Sequence, residues 1–145
     1  MSNSILSSEN ILLNATVGSK VDAIKLTGSI LVDNGYVDPS YIGKMLEREE
    51  LTSTYMGNFV AIPHGTEDSK PFVKASGISV VQVPKGVDFG GGNTVKLLIG
   101  IAGKDNEHLD ILSKIAIVLS EEENIDTLVA AQSADEIISI FEGVN

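Results

Sequence analysis

The chain has no cysteine among its 145 residues, which excludes disulfides, thiolate nucleophiles and cysteine metal sites. Long apolar runs are also missing. Stretches such as Ile115-Ala116-Ile117-Val118-Leu119 are far too short to span a bilayer. Met1 to Ile11 lacks a basic start followed by an apolar core, so no secretory signal is expected and a cytoplasmic protein without membrane insertion is the simplest reading. Basic residues are scarce, 10 against 20 acidic, giving a formal net charge of −10. Nucleic acid and anionic membranes reward clustered lysine and arginine, so neither is an expected partner. A protein with a basic docking face is expected instead, through an attraction that salt weakens.

Several motifs are absent too. Without G-x-x-x-x-G-K-[ST] there is no P-loop for nucleotide phosphates. The triple glycine Gly90-Gly91-Gly92 lacks G-x-G-x-x-G spacing and reads as a flexible turn. Without G-x-S-x-G there is no hydrolase nucleophile elbow. H-E-x-x-H does not occur, and the two histidines, His64 and His108, stand far apart in sequence. A metal site using both would have to borrow carboxylates from elsewhere, so no metal or cofactor is expected.

What is present fits one domain over residues 1–145, with 43% hydrophobic and 21% charged residues. A short strand is expected at Ile11-Leu12-Leu13. Ser19 can cap a helix whose apolar positions are Val21, Ile24, Gly28, Leu31 and Val32, with Gly35 as its stop. Asp38-Pro39 supplies a cap and a first-turn proline for a second helix, striped by Tyr41, Ile42, Met45 and Leu46 and ending near Glu50. Runs rich in valine and isoleucine at Phe59–Ile62, Gly77–Val83 and Val95–Ile101 read as strands, with Pro84–Asn93 as a loop. A helix capped by Asp105 or Asn106 runs to about Ser120 on a stripe of Leu109, Leu112, Ile115, Ala116 and Leu119. A short helix follows around Ile125–Ala131, and Ser133-Ala134-Asp135-Glu136 is a capping box for the last one. The expected architecture is an α/β sandwich, a central mixed β-sheet flanked by helices on both faces.

His64 is the residue best placed for chemistry. It follows the apolar run Phe59-Val60-Ala61-Ile62 and Pro63, and it precedes Gly65. Pro63 holds Ile62 extended, so the strand ends as the imidazole emerges, and the glycine lets the backbone come close to a ligand. A neutral imidazole is a competent phosphoryl acceptor near neutral pH. Phosphoryl transfer needs little beyond positioning and positive donors, which Arg48, the Gly65 N–H, Thr66 and His108 could supply. His108 falls in the first turn of its helix, where backbone N–H groups and the dipole favour anions. Each residue has a plainer reading: a turn histidine, a packing histidine, and an arginine paired with Glu49 or a neighbouring carboxylate.

The stretch Met45 to Thr66, and above all Phe59-Val60-Ala61-Ile62-Pro63-His64-Gly65-Thr66, resembles the active-site signature of enzyme IIA of the sugar phosphotransferase system, mannitol/fructose group. Asn106-Glu107-His108-Leu109 is a second match, and with Leu46-Glu47-Arg48-Glu49 it is most similar to the mannitol-specific branch. The resemblance implies that His64 accepts a phosphoryl group from the phosphocarrier protein HPr and donates it to a cysteine on the enzyme IIB domain of a mannitol permease, the enzyme IIB/IIC protein. It also implies that Arg48 and His108 stand beside the phosphorylated ring. Alternative readings are a fructose-type or nitrogen-type regulatory enzyme IIA that signals through partner binding, and a small-ligand or metal-binding domain using both histidines.

Overall fold

The computed structural model describes residues 5–105 and 107–142, and for His108 the backbone alone. Strand β1 (Ile11–Leu12) leads into helix α1 (Lys20–Asp33) and then α2 (Ser40–Leu51). Strands β2 (Tyr55–Gly57) and β3 (Val60–Ala61) follow, then a 3₁₀ turn over Glu67–Phe72. Next come β4 (Gly77–Asp88), β5 (Thr94–Ala102), α3 (Glu107–Leu119), α4 (Glu122–Ala130) and α5 (Ala134–Ile140). No helix among the described residues is long and apolar enough to cross a membrane.

The sheet has five strands in the order β1-β4-β5-β3-β2. β4 pairs antiparallel with β5, and β2 with β3, while β1 runs parallel to β4 and β3 parallel to β5. The sheet is therefore mixed. Alternate residues of the central strands feed two cores. Val81, Val83, Leu98 and Ala102 meet α1 and α2 through Ile24, Leu31, Tyr41 and Met45. Ile78, Val80, Leu97, Ile99 and Ile101 meet α3, α4 and α5 through Ile111, Ile115, Leu128, Ile137 and Phe141. Burial on both faces explains why β4 and β5 read as almost continuous apolar runs. Each large side chain so enclosed contributes about 1.5–3 kcal/mol.

Local signals set the helix ends. The Ser19 side chain accepts from the Asp22 N–H at the start of α1. Asp38 caps α2 by accepting from the Ser40 N–H at 3.0 Å, with Pro39 already helical at φ −52° and ψ −29°. That bond lowers the Asp38 carboxyl below its usual range, with a smaller contribution from Lys74. α5 carries the complete capping box between Ser133 and Glu136.

The structure corrects four expectations. β4 continues past Pro84 to Asp88, so the loop between β4 and β5 shrinks to residues 89–93. The β4–β5 register shifts between Gln82 and Val87, and an irregularity of that kind accommodates a proline that has no ladder N–H to give. Tyr55–Gly57 forms β2, a strand the valine and isoleucine runs did not announce. On α1, Val21 is exposed, and Ala23 and Thr27 are buried beside Ile24. On α3 the core stripe is Ile111, Ile115 and Leu119, leaving Leu109 and Ala116 exposed.

Candidate functional site

β3 and β5 are parallel neighbours, and just past the carboxyl end of β3 His64 forms a parallel bridge with Ile101, near the carboxyl end of β5. Crevices outside the carboxyl ends of parallel strands are where α/β sheets bind ligands. Here a cavity of about 300 Å³ opens, lined by His64, Gly65, Thr66, Arg48, Tyr41 and Lys70, with Leu51, Leu109 and Leu112 among its walls. Leu109 and Leu112 lie in the first two turns of α3, so the positive end of that helix borders the cavity.

Three backbone anchors fix the segment that carries His64. The Ile62 N–H donates to the Thr54 carbonyl at 3.0 Å, and the Ile101 N–H donates to the Pro63 carbonyl at 2.9 Å. The Gly65 N–H donates to the Tyr41 hydroxyl at 2.9 Å, and that hydroxyl donates to the Ile101 carbonyl at 2.7 Å. The half-buried His64 ring has Nδ1 at 2.9 Å from the Ile62 carbonyl. A carbonyl only accepts, so Nδ1 carries the proton and the neutral ring keeps its lone pair on Nε2. Burial pushes the Tyr41 phenol up to about 12, against a smaller lowering by the Gly65 N–H. The phenol is therefore a neutral clamp over the neutral pH range.

Gly65 is confined to glycine by space. A Cβ there would come within 2.5 Å of Ser69 Oγ and 2.6 Å of the Tyr41 ring.

Arg48 lines the cavity from the last turn of α2, where its Nη1 donates to the Thr52 carbonyl at 2.7 Å. Glu49 bonds instead to Thr54 and faces Lys20, so the plainer reading of Arg48 as an ion-pair partner of Glu49 does not hold. His108 lies on α3 in the turn that borders the cavity, and its side chain falls outside the described residues.

Two donors suggested by the sequence are already engaged. The Gly65 N–H is taken by Tyr41. The Thr66 hydroxyl donates to Asp68, a bond that lowers the Asp68 carboxyl with help from Lys44. Sequence reasoning missed Tyr41 as a hydroxyl and Lys70 as a cationic wall. No local pattern marks either, because both reach the cavity only when the sheet and the 3₁₀ turn fold around it.

The chain matches the model of the phosphoenolpyruvate-dependent sugar phosphotransferase system EIIA 2 family over residues 4–144, and it belongs to that family. It is 68% identical over 145 residues to the mannitol-specific phosphotransferase enzyme IIA component of Geobacillus stearothermophilus, covering 100% of both chains. It is 62% identical over 141 residues to the protein of that description from Bacillus subtilis (strain 168), covering 97% of this chain and 99% of the relative. Among solved structures, a chain of the complex of enzyme IIAMTL and phosphorylated enzyme IIBMTL from Escherichia coli superposes with a TM-score of 0.90. The identity there is 38%, covering 95% of this chain and 97% of that one.

Proposed function

We propose that this chain, acting as one unit over residues 1–145, is a mannitol-specific enzyme IIA whose phosphoryl-carrying atom is Nε2 of His64. The observation that carries the reading is His64 lining one cavity with Arg48 while its Nδ1 is bonded to the Ile62 carbonyl. The printed names of the relatives at 68% and 62% identity support the choice of mannitol.

In the first step the Nε2 lone pair attacks the phosphorus of phospho-HPr. A new N–P bond forms as the donor's N–P bond breaks and returns an electron pair to the donor imidazole. The Nδ1–H to Ile62 bond favours this chemistry twice. It keeps Nε2 basic before transfer, and it keeps the phosphorylated ring protonated at Nδ1, which makes the ring a better leaving group. In the second step a cysteine thiolate of the enzyme IIB domain attacks the phosphorus, and the N–P electrons return to Nε2. The Arg48 guanidinium swings from the Thr52 carbonyl to the phosphoryl oxygens, and His108 stands at the α3 edge to donate to them. Charge stabilisation of this kind is the main contribution a protein can make to phosphoryl transfer. Leu51 (72% exposed) and Leu109 (60% exposed) offer an apolar rim on which HPr and the enzyme IIB domain dock in turn. The reading places the protein in the cytoplasm, where both partners are accessible.

The test is incubation with phospho-HPr, followed by mass-spectrometric localisation of the acid-labile phosphate. Label on His64, lost in a folded His64→Ala variant, is the expected result, and equal uptake by that variant rejects the assignment. His108→Ala should slow transfer while leaving the label on His64. Offering enzyme IIB domains of mannitol and fructose type separates the two sugar readings.

A further inference from the structure

Glu49 is a buried carboxylate, 5% exposed, that the phosphoryl-transfer steps above leave unused. Its Oε1 accepts from the Thr54 N–H at 2.9 Å and from the Thr54 hydroxyl at 2.6 Å. Its Oε2 faces Lys20 Nζ at 3.7 Å and has no hydrogen bond among the described residues. Burying a carboxylate is costly unless it is paired and bonded, so its place calls for a physical reason. The groups it holds supply one. The Thr54 carbonyl accepts the Ile62 N–H at 3.0 Å, and the Ile62 carbonyl accepts from His64 Nδ1 at 2.9 Å. Four links thus run from the carboxylate to the imidazole: Glu49 to Thr54, along Thr54 to its carbonyl, across to Ile62, and on to His64.

We propose that Glu49, acting through Thr54, is a positioning residue that sets the tautomer and orientation of the His64 ring. The inference rests on the proposed phosphoryl-carrying role of His64.

Successive residues of α2 divide the work. Arg48 holds the Thr52 carbonyl and Glu49 holds Thr54, so one short segment is gripped twice. When Arg48 leaves Thr52 for a phosphoryl oxygen, the Glu49 grip remains. The Ile62 carbonyl then stays in place while the neighbouring cation moves. A misplacement of about 1 Å in such a group costs up to ~10²-fold in rate.

Histidine occurs only twice in the chain, so long-range ¹H–¹⁵N correlation spectra report the His64 ring nitrogens directly, with His64→Ala supplying the assignment. In the full chain, Glu49→Ala is expected to raise the Nε2–H tautomer of His64. It should also lower kcat for phosphoryl uptake about tenfold, the order seen when an outer partner of a reacting group is removed, with KM for phospho-HPr unchanged. Glu49→Gln keeps an oxygen for Thr54 and is expected to restore both readouts. If Glu49→Ala does not fold, Thr54→Val, which deletes only the hydroxyl, gives the same readouts with a smaller shift. Wild-type tautomer populations in either folded variant overturn the proposal, and so does a tautomer shift with unaltered kcat. If wild-type His64 takes up no label, the functional reading fails, and the tautomer measurement alone then decides the positioning role.

Discussion

A single methyl group at Gly65 is enough to test how tightly the site is built. Gly65→Ala would push a Cβ to 2.5 Å from Ser69 Oγ and 2.6 Å from the Tyr41 ring. Overpacking of this kind costs about 1–3 kcal/mol. The variant should melt at lower temperature and accept phosphoryl groups more slowly, which thermal unfolding and an uptake assay would show. Tyr41 offers a second test. Its phenol is raised from 10.0 to about 12 by burial, so the folded state holds that proton more tightly than the unfolded one. Its contribution to stability is complete below the unfolded value near 10.0 and is lost as pH rises through about 12. Phenolate absorbance should show one of the three tyrosines ionising late, a step missing in Tyr41→Phe. Sequence reading singled out His64 from its place after a strand and a proline, and Arg48 through the resemblance to the family signature. It took Tyr41 only as part of an apolar stripe, because the acceptor of its hydroxyl, Ile101, lies 60 positions away.

At the scale of elements, caps were the most legible signals. Ser19, Asp38-Pro39 and Ser133-Glu136 each act within a few residues, and each forms as local chemistry dictates. Ser133→Ala should therefore cost about 1 kcal/mol. Because α5 packs in the core on the opposite face of the sheet from α2, the rate of phosphoryl uptake should stay at the wild-type level, and calorimetry paired with that assay checks both halves. Phases and pairings were harder to read. α3 carries apolar residues on most of its circumference, from Ile111 and Leu112 to Val118 and Leu119, so periodicity alone does not say which arc faces the sheet. Packing chose Ile111, Ile115 and Leu119 and turned Leu109 to the cavity rim. The β2–β3 hairpin had a usable signal in Gly57-Asn58, a turn pair between two short runs. Gly57, Asn58 and Phe59 all take positive φ there, at 92°, 50° and 71°. A phenylalanine rarely adopts that conformation. Here its carbonyl accepts from the Lys96 and Leu97 N–H groups, and its ring lies 4.8 Å from Lys96 Nζ.

For the whole molecule, the decisive quantities are its net charge of −10 and the apolar rim around the cavity. Transfer from phospho-HPr should show a KM that rises with salt, because screening weakens attraction between an acidic chain and a basic docking face. Leu51→Ser or Leu109→Ser should raise that KM severalfold while leaving the melting temperature close to wild type, since both side chains are already mostly exposed. A rise in kcat without a change in KM would count against a docking role. Sequence by itself determined the class of the fold, the order of most elements, their caps and which histidine is best placed for chemistry. Those depend on residue chemistry and short-range periodicity, which survive without coordinates. Tertiary structure alone decided which face of α3 is buried, that β4 continues through Pro84, and that the Gly65 N–H and Thr66 hydroxyl are already engaged. It also decided that a carboxylate two elements away is linked to the His64 ring. Such outcomes depend on which distant groups compete for the same hydrogen bond or the same space, and only the folded chain brings those competitors together.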